Sequence, residues 1–263
     1  MWPTIFSLGP VALSSASLFS IIGFLAMAFV LWRRGREEHY REDQLFDQFL
    51  TSSIFGLLIA RVTFIVLNFH LFGLNPNTWL DLGGSPGFSL GMGVIAAGLH
   101  LARSSRKNKW DVFEILDLWV IGLTLGLGIF HLGSFLSGAG VGYVTGLPLG
   151  LIFPGQVEPH HPTQLYTAGF YLSFTGYLWW LEYNYRTFSW YRRGKRAAQT
   201  GFLISTFMIT SGAFLSVRSF LQPATLVFWG VELDLILYLA LTVSGLVLML
   251  SRSGRLSLRW PKK

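Results

Sequence analysis

Long apolar stretches alternate with short polar gaps along the whole chain, and each stretch approaches the roughly twenty residues that cross a hydrocarbon core. Seven segments qualify: Val11 to Trp32, Leu45 to Phe69, Gly84 to Ala102, Val112 to Phe135, Gln164 to Leu181, Gly201 to Phe220, and Val231 to Leu250. The gaps between them differ in kind. Eighteen of the twenty Lys and Arg residues fall into four clusters: Arg33 to Arg41, Arg103 to Lys109, Arg186 to Arg196, and Arg252 to Lys263. These clusters fill every second gap, and gaps of the other parity carry no Lys or Arg. Short loops rich in Lys and Arg stay cytoplasmic during insertion. The pattern therefore predicts an all-α polytopic membrane protein with seven transmembrane helices, its amino terminus outside and its carboxyl terminus cytoplasmic. Residues 1–263 read as a single transmembrane domain, without an internal repeat or a long linker.

Composition agrees with this reading. The chain is 52% apolar and 13% charged, against about 25% charged in soluble domains. Its net charge of +7 sits at span ends, where anionic headgroups attract it, so the basic residues read as membrane anchors and not as a nucleic-acid surface. Trp32, Trp110, Trp179, Trp180 and Trp190 lie near the expected interfaces. No basic region precedes the first apolar run, so span one is expected to be retained, not cleaved as a signal peptide. The absence of cysteine removes disulfides and thiolate chemistry by this chain, so any reacting thiol must come from a substrate. No span contains the lysine that a retinal Schiff base requires.

Candidate chemistry lies where polar groups interrupt apolar spans, because an intramembrane charge is costly and by default marks a functional interior. Arg61, about two thirds along span two, reads as a cation for a lipid headgroup or phosphate, or as a snorkelling or structurally paired residue. Arg218 near the exterior end of span six has the same two readings. His131, in Phe130-His131-Leu132-Gly133-Ser134-Phe135 near the exterior mouth of span four, suits anion binding, proton transfer or plain packing. Asp117 near the inner end of that span suits a cap or a structural pair. The exterior element from Leu136 to Thr163 carries Gly138, Gly140, Gly142, Gly146, Gly150 and Gly155, which suit either close ligand approach or simple turns. It ends in His160-His161-Pro162-Thr163-Gln164-Leu165-Tyr166. Thr163 and Pro162 suit a helix start, but His160, His161, Gln164 and Tyr166 are not explained by capping. Adjacent histidines diverge on regular backbone and no further ligand completes a set, so no metal and no other cofactor is expected.

These strings resemble the prolipoprotein diacylglyceryl transferase family over nearly the whole chain. His161-Pro162-Thr163-Gln164-Leu165-Tyr166 resembles the family's His-Pro-Ser/Thr-Gln-Leu-Tyr-Glu motif. His131-Leu132-Gly133-Ser134-Phe135-Leu136-Ser137-Gly138 resembles its Arg-[Ile/Leu]-Gly-Asn-Phe-[Ile/Leu]-Asn-Gly signature. Leu8-Gly9-Pro10-Val11-Ala12-Leu13, Ala60-Arg61-Val62-Thr63-Phe64-Ile65 and Gln222-Pro223 resemble shorter family segments. The sequence also departs from the family. His131 stands for Arg, Ser134 and Ser137 for Asn, and Thr167 for the Glu after Tyr166. Phe214 and Arg218 align with an Arg and a Glu. Ser14-Ser15-Ala16 lacks the tyrosine of span one, and Gly83 to Ser89 lacks a histidine.

The resemblance implies transfer of a diacylglyceryl group from phosphatidylglycerol to a lipobox cysteine thiol in a lipoprotein precursor signal peptide, at the bacterial cytoplasmic (inner) membrane. It implies His131, His160 or His161 as the base, and Arg61, Ser134, Gly138, Gly142, Gln164, Tyr166 and Arg218 as substrate-binding residues. The missing polar residues leave open a catalytically degenerate relative that binds lipid or precursor. A small-solute transporter gains little support from so few ionisable groups and no visible repeat.

Overall fold

The computed structural model describes residues 2, 4–8, 11–81, 87–185 and 199–253. The basic cluster Arg186 to Arg196 with Trp190, the residues Arg255, Arg259, Lys262 and Lys263, and the segments Gly9-Pro10 and Gly83 to Pro86 lie outside the described residues.

The described chain is mostly helical. A hairpin of β1 (Thr4–Leu8) and β2 (Val11–Ser14) leads into α1 (Ser15–Glu37) and α2 (Glu42–Leu67). Two short helices, α3 (Phe69–Phe72) and α4 (Pro76–Leu80), precede α5 (Leu90–Lys107) and α6 (Val112–Ser137). Then come α7 (Thr163–Tyr185), α8 (Phe202–Arg218), a hairpin of β3 (Val227–Phe228) and β4 (Val231–Glu232), and α9 (Asp234–Arg252). Four helices, α1, α2, α6 and α9, are long and apolar enough to cross a membrane, and the shorter α8 is also apolar. The chain is a polytopic membrane protein.

Each expected span contains a helix, with three corrections at the starts. Gly87 to Ser89 are not helical, so α5 begins at Leu90 and not at Gly84. Val11–Ser14 pairs with Thr4–Leu8 as a strand, and α1 begins only where the Ser14 hydroxyl accepts from Ser17 N–H at 3.0 Å. Val231–Glu232 likewise pairs with Val227–Phe228, so α9 begins at Asp234. Apolar strands beside apolar helices look continuous in hydrophobicity alone.

Cross-contacts gather the turns that carry the described basic clusters at one end of the bundle. Arg34 in the last turn of α1 pairs with Glu182 in the last turns of α7 at 2.7 Å. The α1–α2 turn meets the α5–α6 turn through Tyr40 and Trp110, with ring centroids 4.9 Å apart, and Tyr40 donates to Glu114 at 2.8 Å. Burial, with help from the Glu114 carboxylate, pushes the Tyr40 phenol up, which keeps its proton on this bond. Trp32 donates to Glu42 at 2.7 Å, and the Arg34 guanidinium lies over the Trp179 ring.

Helix α6 is the hub, and its fully buried Leu118, Ile121 and Thr124 form the centre of the core. Its closest neighbour is α1, against which glycine faces glycine. A Cβ on Gly126 would lie 3.0 Å from the Gly23 carbonyl oxygen, and one on Gly23 would lie 2.8 Å from that of Gly126. Small residues let membrane helices approach at backbone distance and gain packing that lipid cannot replace. Asp117 of α6 is a cap, though not for its own helix. Its carboxylate accepts from Gly201 N–H and Ile204 N–H, both at 2.8 Å, which satisfies the start of α8 where Gly201 has no side chain to do so. Asp117→Ala is expected to lower stability by about 2 kcal/mol, the upper range for lost caps. Thermal unfolding in detergent would show it as a reduced Tm, with Asp117→Asn falling between.

Candidate active site

At the bundle end opposite the basic residues, α6 stops at Gly138, whose φ of 76° forms a left-handed cap, and the chain enters the glycine-rich loop. The loop is tied down by backbone bonds. Gly142 N–H donates to the His161 carbonyl at 3.1 Å, His161 N–H to that of Tyr143 at 3.0 Å, and Tyr143 N–H to that of Leu221 at 2.9 Å. The loop at Gly142 and Tyr143 thus lies between the His161 segment and the chain leaving α8. Gly142 is required there, because a Cβ would sit 2.6 Å from the Leu221 oxygen and 2.8 Å from both Cβ and O of His161.

Helix α7 starts inside this frame. Thr163 donates to the Gly140 carbonyl at 3.0 Å, and Gln164 Nε2 donates to that of Ala139. Gln164, Thr167 and Tyr171 recur at helical spacing along one buried face of α7. Three groups from other helices converge on that face. The His131 ring of α6 stacks on Tyr171, with centroids 6.2 Å apart and planes 10° apart. Arg218, half-buried in the last turn of α8, reaches Thr167 Oγ1 with Nη1 at 3.3 Å and Tyr238 Oη of α9 with Nη2 at 3.5 Å. Tyr238 in turn approaches Asp234 at 3.4 Å, whose carboxylate also holds Thr225 and Leu226. Arg218 has no carboxylate partner among the described ion pairs, and its Nε is buried without a hydrogen bond. His161 Nδ1 and Gln164 Oε1 are also buried and unpartnered.

The sequence-derived residues therefore divide. His131, His161, Gly138, Gly142, Gln164, Tyr166 and Arg218 belong to one framework, with Tyr166 beside the His161 ring at 6.2 Å. His160 turns its Nδ1 to the Glu158 carbonyl at 2.8 Å. Ser134 Oγ bonds back to Phe130 of its own helix at 3.2 Å. Arg61 is engaged with a different segment. It donates to the carbonyls of Trp79 and Gly87 at 3.0 Å and of Asp81 at 3.3 Å, and its guanidinium lies 5.1 Å from the Phe72 ring centre. It thereby pins the chain between α4 and α5 against α2. Among the described residues no three His, Asp or Glu side chains converge as a metal ion would require.

Comparison with known proteins decides the family. The family model for prolipoprotein diacylglyceryl transferase matches residues 3–251. The chain belongs to the prolipoprotein diacylglyceryl transferase family. It is 27% identical over 228 residues to the phosphatidylglycerol–prolipoprotein diacylglyceryl transferase of Clostridium tetani, covering 84% of this chain and 86% of that one. A second enzyme of that name from Clostridium perfringens is 30% identical over 165 residues, 60% of this chain and 64% of its own length. A third, from Wolbachia of Drosophila simulans, is 32% identical over 176 residues, 64% of this chain and 65% of its own.

Within this member of the prolipoprotein diacylglyceryl transferase family, two of the positions read as departures from the family motifs, Thr167 and Arg218, meet in space. Phe214 stacks on Phe170 of α7 with centroids 3.9 Å apart and planes 1° apart. One turn further along α8, Arg218 supplies a cation against Thr167. Tyr171, Tyr238 and Asp234 were not singled out by sequence. Two signals pointed to them. Tyr171 is seven residues from Gln164 on one helical face, and Asp234 and Tyr238 are four apart at the start of α9.

Proposed function

We propose that this chain transfers a diacylglyceryl group from phosphatidylglycerol to the thiol of a lipobox cysteine in a lipoprotein precursor. The observation that carries the reading is Arg218, a cation between hydroxyl partners instead of carboxylates, inside the framework of the His161 to Tyr166 motif. In the proposed reaction the substrate sulfur attacks the glyceryl carbon that bears the phosphate. A thioether forms, the carbon–oxygen bond breaks, and glycerol phosphate departs with the bonding electrons. A free thiol has a pKa of about 8.5, so a base must take its proton, and the departing phosphate gains charge that a preorganised cation stabilises.

Arg218 receives the phosphate in this scheme, with Tyr238 and Thr167 orienting its guanidinium. His131 and His161 are the candidate bases, since both sit in the framework, and His160 shapes the rim. Gln164 and Tyr166 line the site, Ser134 supports it from within α6, and Gly138 and Gly142 admit backbone close to it. Arg61 contributes through the wall it holds in place. Seven spans, with the amino terminus outside and the carboxyl terminus in the cytoplasm of a bacterial inner membrane, would put this end of the bundle at the exterior face. The basic residues gathered at the other end support that orientation.

The replacement of family charges by Phe214 and Thr167 favours a second reading, a catalytically degenerate relative that binds lipid or precursor. Incubating the protein with phosphatidylglycerol vesicles and a synthetic lipobox peptide separates the two. Mass spectrometry is expected to show the peptide heavier by one diacylglyceryl group, with glycerol phosphate released. Peptide binding without either product would establish the degenerate relative instead.

A further inference from the structure

We propose that the β3–β4 hairpin is a lipid anchor that seats Trp229 at the headgroup–acyl boundary of the membrane, beside the end of the bundle that carries Arg218. This inference rests on the membrane-crossing fold and not on the transferase reading.

The hairpin turns in two residues. Phe228 pairs with Val231, and Trp229 and Gly230 between them have φ of 52° and 78°. Positive φ at both central positions is the type I′ requirement, for which Asn, Asp and Gly are the favoured residues. Tryptophan at the first position is sterically costly, because its Cβ crowds the backbone in the left-handed region. Among the described residues nothing offsets that cost, since Trp229 is 92% exposed and its neighbouring ring, Phe228 at 6.1 Å, is itself exposed. A strained, outward tryptophan points to a partner outside the chain.

Position identifies that partner as lipid. The base of the hairpin is locked to the first turn of α9, because Leu233 N–H donates to the Leu226 carbonyl at 2.8 Å and Asp234 accepts from Leu226 N–H at 3.0 Å. At about 3.3 Å per residue, the three residues from base to tip reach about 10 Å, comparable with the depth of one interfacial region. Val227 and Val231 are exposed, as are Ile236, Leu239 and Val243 on α9, a helix long and apolar enough to span the bilayer. The hairpin thus leads directly into a candidate membrane span with exposed apolar side chains. No Lys or Arg occurs between Arg218 and Arg252, and Glu232 at the base is the hairpin's one charged residue. An indole combines an apolar body with one N–H donor and partitions to this interface.

The cysteine-free chain allows a direct test. Trp229→Cys and Val231→Cys, the second retaining the tryptophan and its turn, are labelled with a small fluorophore and placed in phosphatidylcholine–phosphatidylglycerol vesicles. Glu158→Cys, in the glycine-rich loop, carries the same label as reference. A nitroxide on the upper acyl chain is expected to remove most of the emission at 229 and 231 while aqueous iodide removes little, with the reverse at 158. Free quenching by iodide at 229 and 231 would overturn the proposal. So would iodide exposure that disappears only when a lipobox peptide is added, since the surface would then belong to the precursor.

Discussion

Arg218→Gln is expected to lower diacylglyceryl transfer about 10²- to 10³-fold, the loss typical when one preorganised donor to a developing anion is removed. The expectation follows from what surrounds the guanidinium. By the family resemblance both this position and Thr167 would carry a Glu, whereas here the two residues form a cation–hydroxyl contact at 3.3 Å. The same resemblance would put the span-six cation at Phe214, four residues earlier, one turn or about 6 Å along the axis. What remains is an arginine held by Thr167 and Tyr238, with Nε unpartnered, which suits capture of a phosphate. Arg218→Lys should restore part of the rate, because it keeps the charge but loses the planar fork. The measurement is initial rate of peptide lipidation against phosphatidylglycerol concentration. Near-unchanged turnover in Arg218→Gln would remove this arginine from the reaction.

Much of the architecture was legible because insertion physics writes it locally. Spacing of Lys and Arg separates the two ends of the bundle, and the structure joins Arg34 with Glu182, and Tyr40 with Trp110, at one of them. Hairpin strands at Val11–Ser14 and Val231–Glu232 were not legible, since an apolar run of four residues has no period that distinguishes a strand from a helix start. The site was legible as a motif but not as a geometry. The depth of Arg61 is visible in the chain, whereas its acceptors are backbone carbonyls 18, 20 and 26 residues away, and backbone acceptors leave no trace in side-chain identity. Tyr171 and Tyr238 were passed over for a related reason. In a span, tyrosine reads as packing or an interface anchor, and only their convergence on His131 and Arg218 gives them a place in the site.

Gly142→Ala is expected to reduce transfer at least about tenfold while leaving the helical bundle folded, and Gly146→Ala is expected to do neither. One methyl group distinguishes the two positions. At Gly142 it would meet the Leu221 oxygen at 2.6 Å and the Cβ and oxygen of His161 at 2.8 Å, none of which is the end of a flexible side chain. Relief requires the loop to part from the His161 segment or from the chain after α8. Either movement strains the bonds from Gly142 to His161 and from Tyr143 to Leu221, and these set where His161 and Gln164 stand relative to Arg218. A displacement near 1 Å between reacting groups is enough to cost about 10²-fold in rate. At Gly146 nothing lies within 4 Å of an added Cβ, so the same methyl group is accommodated. Lipidation rate and thermal unfolding measured together test the distinction. Equal activity in both variants would show that the loop does not position the site, whereas a large fall in Tm for Gly142→Ala would mean that this contact supports the whole bundle.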